Sequence, residues 1–140
     1  MKRFATKTLV MTAALAALAV GASAQSMNAE IPFTFRAGDA VLAAGSYRIH
    51  APTANGSSVI RLTNNDTRKG IILMPHYRSD APKASSGEPK LWFACAGSSC
   101  VLTTVWNGAD AQALVVGSPA RAGKEVAEIR VVNMTAVKSE

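Results

Sequence analysis

Residues 91–106, which read LWFACAGSSCVLTTVW, decide the fold of this chain. Two runs of apolar and β-branched residues flank a short turn that contains Gly97, and this pattern is typical of a β-hairpin. Because side chains alternate along a strand, the hairpin has two faces. The alternation predicts one face with Leu91, Phe93, Cys95, Cys100, Leu102 and Trp106, and an opposite face with Trp92, Val101 and Val105.

The two cysteines of the chain both lie in this hairpin. The hairpin brings Cys95 and Cys100 opposite each other, and an oxidising compartment favours their pairing, so we predict a disulfide. Closing a six-residue loop contributes roughly 2 kcal/mol on the chain-entropy model. Free thiols or a thiolate metal site are the alternatives, whereas a redox-active pair typically has the spacing Cys-x-x-Cys at a helix N-terminus.

Upstream of the hairpin, apolar residues again recur with a period of two. Ile31, Phe33 and Phe35 predict one half-buried strand, and Pro32 places it at a strand start or at a sheet edge, because proline has no backbone donor. Tyr47 and Ile49 are expected to face inward, with Arg48 and His50 facing outward.

Further strand patterns follow. Ile60 and Leu62 mark a strand that ends at the turn from Asn64 to Asp66. The continuous apolar run from Ile71 to Met74 predicts a strand that is covered on both faces.

The segment from Arg78 to Lys90 has no apolar residue larger than alanine, and we expect an exposed loop there. Downstream, a short strand is predicted from Ala113 to Val116. About ten helical residues should begin at Pro119, and a closing strand should run from Ile129 to about Val137.

Seven or eight short strands separated by turns predict an all-β fold. The architecture is a small antiparallel sandwich or barrel, with a short helix near the C-terminus.

The first 24 residues have the pattern of a secretory signal peptide. A basic start with Lys2 and Arg3 precedes an apolar stretch from Leu9 to Val20, and small residues then lead to Ala24. An uncleaved anchor helix is the alternative, but it needs about 20 apolar residues. We therefore predict cleavage after Ala24, a single β-rich domain over residues 25–140, a periplasmic or extracellular location, and no stable membrane insertion after cleavage.

The net charge is modest once the leader is set aside. The whole chain carries +6, whereas residues 25–140 contain 12 basic and 9 acidic residues, a net charge of +3. Nucleic-acid binders show clustered Lys and Arg, and the close cluster here is Arg68-Lys69 beside Asp66. We therefore expect no nucleic-acid partner.

The segment IPFTFRAGDAVLAAGSYRI, residues 31–49, resembles the N-terminal signature of a family of small secreted bacterial proteins. That signature reads (Val/Ile)-Pro-Phe-x-Phe, a Gly-containing turn and Leu-Pro-Ala-Gly-x-Tyr-x-Val, and Ala43 departs from its proline. Residues 91–106 are similar to the second hairpin of the family, although the cysteines are not a hallmark of it. The resemblance implies an all-β secreted domain and carries over no catalytic residue, because the family has no established activity.

Candidate catalytic and metal-binding residues are sparse. The serines lie outside a Gly-x-Ser-x-Gly context, no glycosidase-like pair of carboxylates stands out, and phosphate-binding glycine motifs are absent from the sequence. His50, His76 and Met74 are ligands suited to copper or zinc, but they are too few and too scattered to predict a metal site. We predict no enzyme activity and no cofactor.

The sequence favours a non-enzymatic domain that acts through surface contacts with a protein or an envelope polymer. The candidate contact surfaces are the loop from Ser79 to Pro89 and the edge beside Pro32. The alternative is a small apolar-ligand carrier, in which Trp92, Tyr47 and Phe35 line the cavity of a closed barrel.

Overall fold

The structure is a computed structural model that describes residues 25–51, 59–81, 87–123 and 128–137. The predicted signal peptide, residues 1–24, lies outside the described residues. Within the described ranges, no helix is long and apolar enough to cross a membrane.

The predicted all-β fold is confirmed. In chain order the described elements are β1 (Gln25–Ile31), β2 (Phe35–Ala37), β3 (Ala40–Leu42), β4 (Gly45–Ala51), β5 (Ile60–Asn64), β6 (Gly70–Leu73), β7 (Tyr77–Asp80), β8 (Lys90–Ala96), β9 (Ser99–Trp106), β10 (Gln112–Val115), a 3-10 helix (Pro119–Ala122), β11 (Glu128–Asn133) and β12 (Thr135–Ala136). The strands outnumber the seven or eight predicted because two predicted strands are interrupted where the chain passes between sheets. A further strand, β7, forms inside a predicted loop.

The strands form two sheets. The first is antiparallel, with the order β12-β1-β4-β5-β6. The second sheet has the order β11-β8-β9-β10-β7. Strand β2 joins β9 of this sheet through one parallel bridge, and β3 pairs with the other side of β2. Neither sheet closes on itself in the described residues. Of the two predicted architectures, the sandwich is therefore correct and the closed barrel is wrong.

The core lies between the two sheets, whose inward-facing residues form one cluster. The Phe35 ring from β2 makes edge-to-face contacts with Tyr47 of β4, at 5.4 Å between ring centroids, and with Phe93 of β8, at 5.3 Å. Such contacts stabilise a core beyond the area they bury, and here they link the two sheets directly.

The β8–β9 hairpin forms as predicted, around the two turn residues Gly97 and Ser98. Gly97 has a φ of +63° whereas Ser98 has no positive φ, and a positive φ at the first turn residue alone is characteristic of the type II′ turn. Glycine adopts this conformation without steric cost, whereas other residues rarely do.

A β-bulge at Thr103 changes the faces of this hairpin. Trp92 pairs with Thr104 but Phe93 pairs with Leu102, so Thr103 has no partner on β8. The extra residue shifts the alternation, and Val105 therefore points into the core. The prediction that Trp106 shares the core face with Leu102 is wrong for this reason.

The chain crosses between the sheets at residues 32–34. Ile31 ends β1 and Phe35 begins β2, so the prediction of one strand through Pro32 is wrong. Pro32 suits the end of a strand because it cannot donate a ladder hydrogen bond. Phe33 packs edge-on against Phe93 with 4.9 Å between ring centroids.

The apolar run from Ile71 to Met74 is not covered on both faces, and that prediction is wrong. Its first three residues belong to β6 at the end of the first sheet, where Ile72 is 59% exposed, and Met74, which follows the strand, is 68% exposed. A continuous apolar run does not distinguish a central strand from an edge strand, because position in the sheet depends on partners distant in sequence.

The C-terminal predictions need two corrections. One 3-10 turn, Pro119–Ala122, replaces the first part of the predicted ten-residue helix, and residues 124–127 lie outside the described ranges. The predicted closing strand is split at the buried Met134. Its first part, β11, pairs with β8, and its second part, β12, pairs with β1 of the other sheet.

Candidate functional site

The predicted contact loop from Ser79 to Pro89 is only partly a loop. Ser79 and Asp80 belong to β7, which pairs with β10, and residues 82–86 lie outside the described part of the chain. The polar sequence suggested a loop because it lacks large apolar residues. An edge strand needs few of them, since backbone hydrogen bonds hold it to its neighbour.

The three residues predicted to line a carrier cavity do not surround a common space. Phe35 and Tyr47 are 1% and 2% exposed and pack against each other in the core, where the Tyr47 hydroxyl donates to the carbonyl of Ala43 at 2.6 Å. Trp92 is only half-buried and lies outside this cluster. These aromatic residues fill and flank the core.

The predicted disulfide is present. Cys95 and Cys100 are directly paired across β8 and β9, with 4.1 Å between their Cα atoms, and both side chains are buried in the core. This burial places the disulfide away from solvent and identifies it as a structural link of the hairpin.

The residues considered as metal ligands are dispersed. His50 lies on β4, whereas Met74 and His76 lie on the exposed connection between β6 and β7. The described residues contain no group of three His, Cys, Asp or Glu side chains that could hold a metal ion.

A cationic pocket that no sequence pattern predicted lies on the outer face of the first sheet. Its volume is about 330 Å³. We call it the arginine pocket, and its lining consists of Arg48, His50, Arg61, Thr63, Asn64, Asn65 and Arg68.

The register of β4 and β5 assembles the floor of the arginine pocket. Arg48 lies opposite Thr63, and His50 lies opposite Arg61. Opposed residues in an antiparallel pair have Cβ atoms about 5 Å apart, and diagonal neighbours about 7–8 Å apart. Arg48 and Arg61 are diagonal neighbours on one face, so their guanidinium groups reach the same space above the sheet.

The loop between β5 and β6 contributes Arg68 to the pocket. The Asn64 side-chain oxygen accepts hydrogen bonds from the backbone N–H groups of Asp66, at 2.8 Å, and Thr67, at 3.0 Å. The Arg68 N–H donates to the Asn64 carbonyl at 2.9 Å. Arg68 has a φ of +66° and is the one non-glycine with a positive φ in the described ranges.

Two hydrogen bonds fasten this loop to the start of β4. The Asn65 amide side chain donates to the Ser46 hydroxyl at 2.8 Å, and the Asn65 backbone N–H donates to the Ser46 carbonyl at 2.9 Å. The loop therefore holds Arg68 near the arginines of β4 and β5 before any ligand arrives.

No carboxylate among the described residues forms an ion pair with the arginines of the pocket. The ion pairs between described residues are Lys90–Glu88 and Arg130–Glu128, and both lie in the other half of the sandwich. Among the described residues, Asp66 forms no ion pair with the neighbouring Arg68, although both belong to the same loop.

His50 experiences this positive charge. Its partial burial, followed by the charges of Arg48 and Arg61, lowers the pKa of His50 below the usual 6.5. The imidazole is therefore neutral at neutral pH. Its Nδ1 lies 2.9 Å from the Ser26 hydroxyl on the adjacent strand β1.

The cations of the arginine pocket are distant in sequence, and the pocket was missed for that reason. The outward positions of Arg48 and His50 follow from the alternation along their strand, but local alternation does not reveal the register that sets Arg61 beside them. The turn from Asn64 to Asp66 offered a signal, since hairpin connections constrain register.

Comparison with protein-family models, with curated proteins and with solved structures finds no match to this chain. The resemblance of residues 31–49 to a secreted bacterial family stays a prediction. The geometry and charge of the described residues are therefore the main guide to function.

Proposed function

We propose that this protein is a non-enzymatic binding module of the bacterial cell envelope and that its arginine pocket contacts an anionic envelope polymer. The signal-peptide pattern, the family resemblance and the disulfide support a periplasmic or extracellular location. In this proposal the pocket takes the place of the loop from Ser79 to Pro89 as the main contact surface.

The observation that carries this proposal is the gathering of three arginines around one pocket without a described carboxylate partner. Like charges held close together repel each other, and this arrangement costs stability in the free protein. An anionic ligand would convert the repulsion into attraction. Guanidinium groups suit this task because each presents several donors in a fixed planar arrangement.

The contact between Ser26 and His50 resembles the nucleophile–base pair of a hydrolase, but its surroundings oppose that chemistry. A general base must take up a proton, and hydrolases stabilise the resulting imidazolium with a carboxylate. Here Arg48 and Arg61 destabilise the imidazolium. The electrostatics favour binding over general-base catalysis.

The test compares the wild type with the double variant Arg48→Gln/Arg61→Gln, using fluorescently labelled polysaccharides that are phosphorylated, carboxylated or neutral. We expect the wild type to bind an anionic polymer, and we expect the double variant to lose about tenfold or more in affinity. The affinity of the wild type should also fall as salt is added.

Arg78→Gln is the matched control, because Arg78 is an exposed arginine on β7 in the other sheet. It should bind as the wild type does, and so should a variant with residues 82–86 shortened. Unchanged binding in the double variant, or equal binding of the neutral polymer, would contradict the proposal. Loss of binding on shortening the loop would instead favour the contact surface predicted from the sequence.

A further inference from the structure

We infer that the arginine pocket recognises a phosphate-class dianion, either a phosphomonoester group on a polymer or inorganic phosphate. This inference rests on the proposed function, since it names the chemical group that the same pocket binds. Three features support it: the number of charges, the uncharged donor beside them and the conformation of Arg68.

The number of cations exceeds what one carboxylate needs. A single guanidinium satisfies a carboxylate through two parallel hydrogen bonds and balances its charge of −1. A phosphomonoester carries a charge of about −1.5 to −2 near neutral pH and has three acceptor oxygens. Arg48, Arg61 and Arg68 approach the pocket from two strands and a loop, an arrangement that suits a tetrahedral group better than a planar one.

An uncharged donor lies beside the arginines. The Thr63 hydroxyl lines the pocket and makes no hydrogen bond to any other described residue. Because Thr63 lies opposite Arg48 on the pocket floor, its hydroxyl is free to donate to an oxyanion that the arginines bind.

Arg68 has a conformation in which glycine or asparagine would be the usual choice. A positive φ is disfavoured for residues with a long side chain, and such residues concentrate at ligand-binding sites. The loop geometry alone would be satisfied by glycine. A glycine at this position would make the same backbone hydrogen bonds in the loop. What the arginine adds is a third guanidinium group at the pocket.

The test is isothermal titration calorimetry of the purified protein at low salt, with inorganic phosphate, phenyl phosphate and acetate as separate probes. We expect both phosphates to bind at least about tenfold more tightly than acetate. Tighter binding of phenyl phosphate would identify an esterified group as the ligand, and tighter binding of inorganic phosphate would identify the free ion. Equal affinity for acetate and phosphate would overturn the inference.

The variant Arg68→Ala should weaken phosphate binding about tenfold, whereas Arg78→Gln should leave it unchanged. Thermal unfolding of each variant checks that the fold is retained, and Arg68→Lys, which keeps the charge but loses the planar donors, should give an intermediate affinity. Unaltered phosphate binding by Arg68→Ala would also overturn the inference.

A competition experiment separates this inference from the proposed function. Phosphate should displace the labelled anionic polymer from the wild type. If polymer binding depends on Arg48 and Arg61 but phosphate does not displace the polymer, the phosphate inference is wrong and the proposed function stands. If the double variant binds the polymer as well as the wild type does, the proposed function itself is wrong.

Discussion

The imidazole of His50 lies 2.9 Å from the Ser26 hydroxyl, on a face where its charged neighbours, Arg48 and Arg61, are both positive. Partial burial and these two arginines lower the pKa of His50. In the unfolded chain the pKa of His50 returns to about its usual value of 6.5. The unfolded chain therefore binds this proton at a higher pH than the native protein does. This difference gives the stability of the fold a specific dependence on pH.

The first prediction concerns that dependence. Protonation of His50 should have no effect on the free energy of unfolding well above pH 6.5, where both states are unprotonated. Below that value the unfolded state takes up the proton first, so stability should fall until the pH passes the lowered native pKa. Urea unfolding at several pH values should show that His50→Gln reduces this loss. The control is His76→Gln, which changes an exposed histidine outside the pocket and should lose as much stability at low pH as the wild type does. If His50→Gln also loses as much stability as the wild type, the prediction is wrong.

The second prediction separates binding from strain at Arg68. Arg68→Gly removes both the guanidinium and the steric cost of a positive φ, so it should raise the free energy of unfolding by roughly 0.5 kcal/mol, after the greater freedom of glycine in the unfolded chain is counted. Arg68→Ala keeps the strain and should leave stability nearly unchanged. Both variants should lose the same affinity for phosphate, as measured by calorimetry. If both variants are less stable than the wild type, the arginine side chain supports the loop and the prediction is wrong.

The third prediction concerns Asn28, the cross-strand neighbour of Arg48 on β1. Its side-chain oxygen is buried and accepts no hydrogen bond from the described residues. Asn28→Asp places a carboxylate beside Arg48, and we expect the affinity for phosphate to fall about tenfold because one cation is neutralised. Asn28→Ser, which adds no charge, should bind nearly as the wild type does. The difference between the two variants should shrink at high salt, and a difference that is independent of salt would contradict an electrostatic origin.

The fourth prediction concerns the buried disulfide. Replacing both Cys95 and Cys100 with alanine should lower the free energy of unfolding by roughly 2 kcal/mol, because the unfolded chain regains the entropy of a six-residue loop. Denaturant unfolding of the variant, compared with the wild type before and after reduction, measures this effect. Phosphate binding should be unaffected, because the hairpin lies in the sheet opposite the arginine pocket. A reduced wild type as stable as the oxidised protein would contradict the prediction.

The elements predicted correctly from the sequence are those that depend on local pattern. The β8–β9 hairpin, the inward positions of Tyr47 and Ile49 and the turn from Asn64 to Asp66 each follow from a few adjacent residues. The bulge at Thr103 could not be read in this way, since one additional residue reverses the faces of Val105 and Trp106 without altering the composition of the strand.

The remaining errors come from long-range partners. The chain leaves one sheet for the other at residues 32–34 and at Met134, and alternation of apolar residues continues across both breaks. The arginine pocket was missed for a related reason. Arg48, Arg61 and Arg68 become neighbours only through the register of β4 with β5 and the fold of the following loop.

The pairing of β1 with β12 has a consequence for how the protein is made. Met27 lies opposite Ala136, so one edge of the first strand stays unpaired until the last described strand is available. When the chain is synthesised from its N-terminus, β12 is the last of the described strands to become available, and long-range β pairing of this kind is slow and prone to aggregation. The β1–β12 pair therefore forms after the other described strands have been made, and until then the β1 edge is open to pairing with another chain.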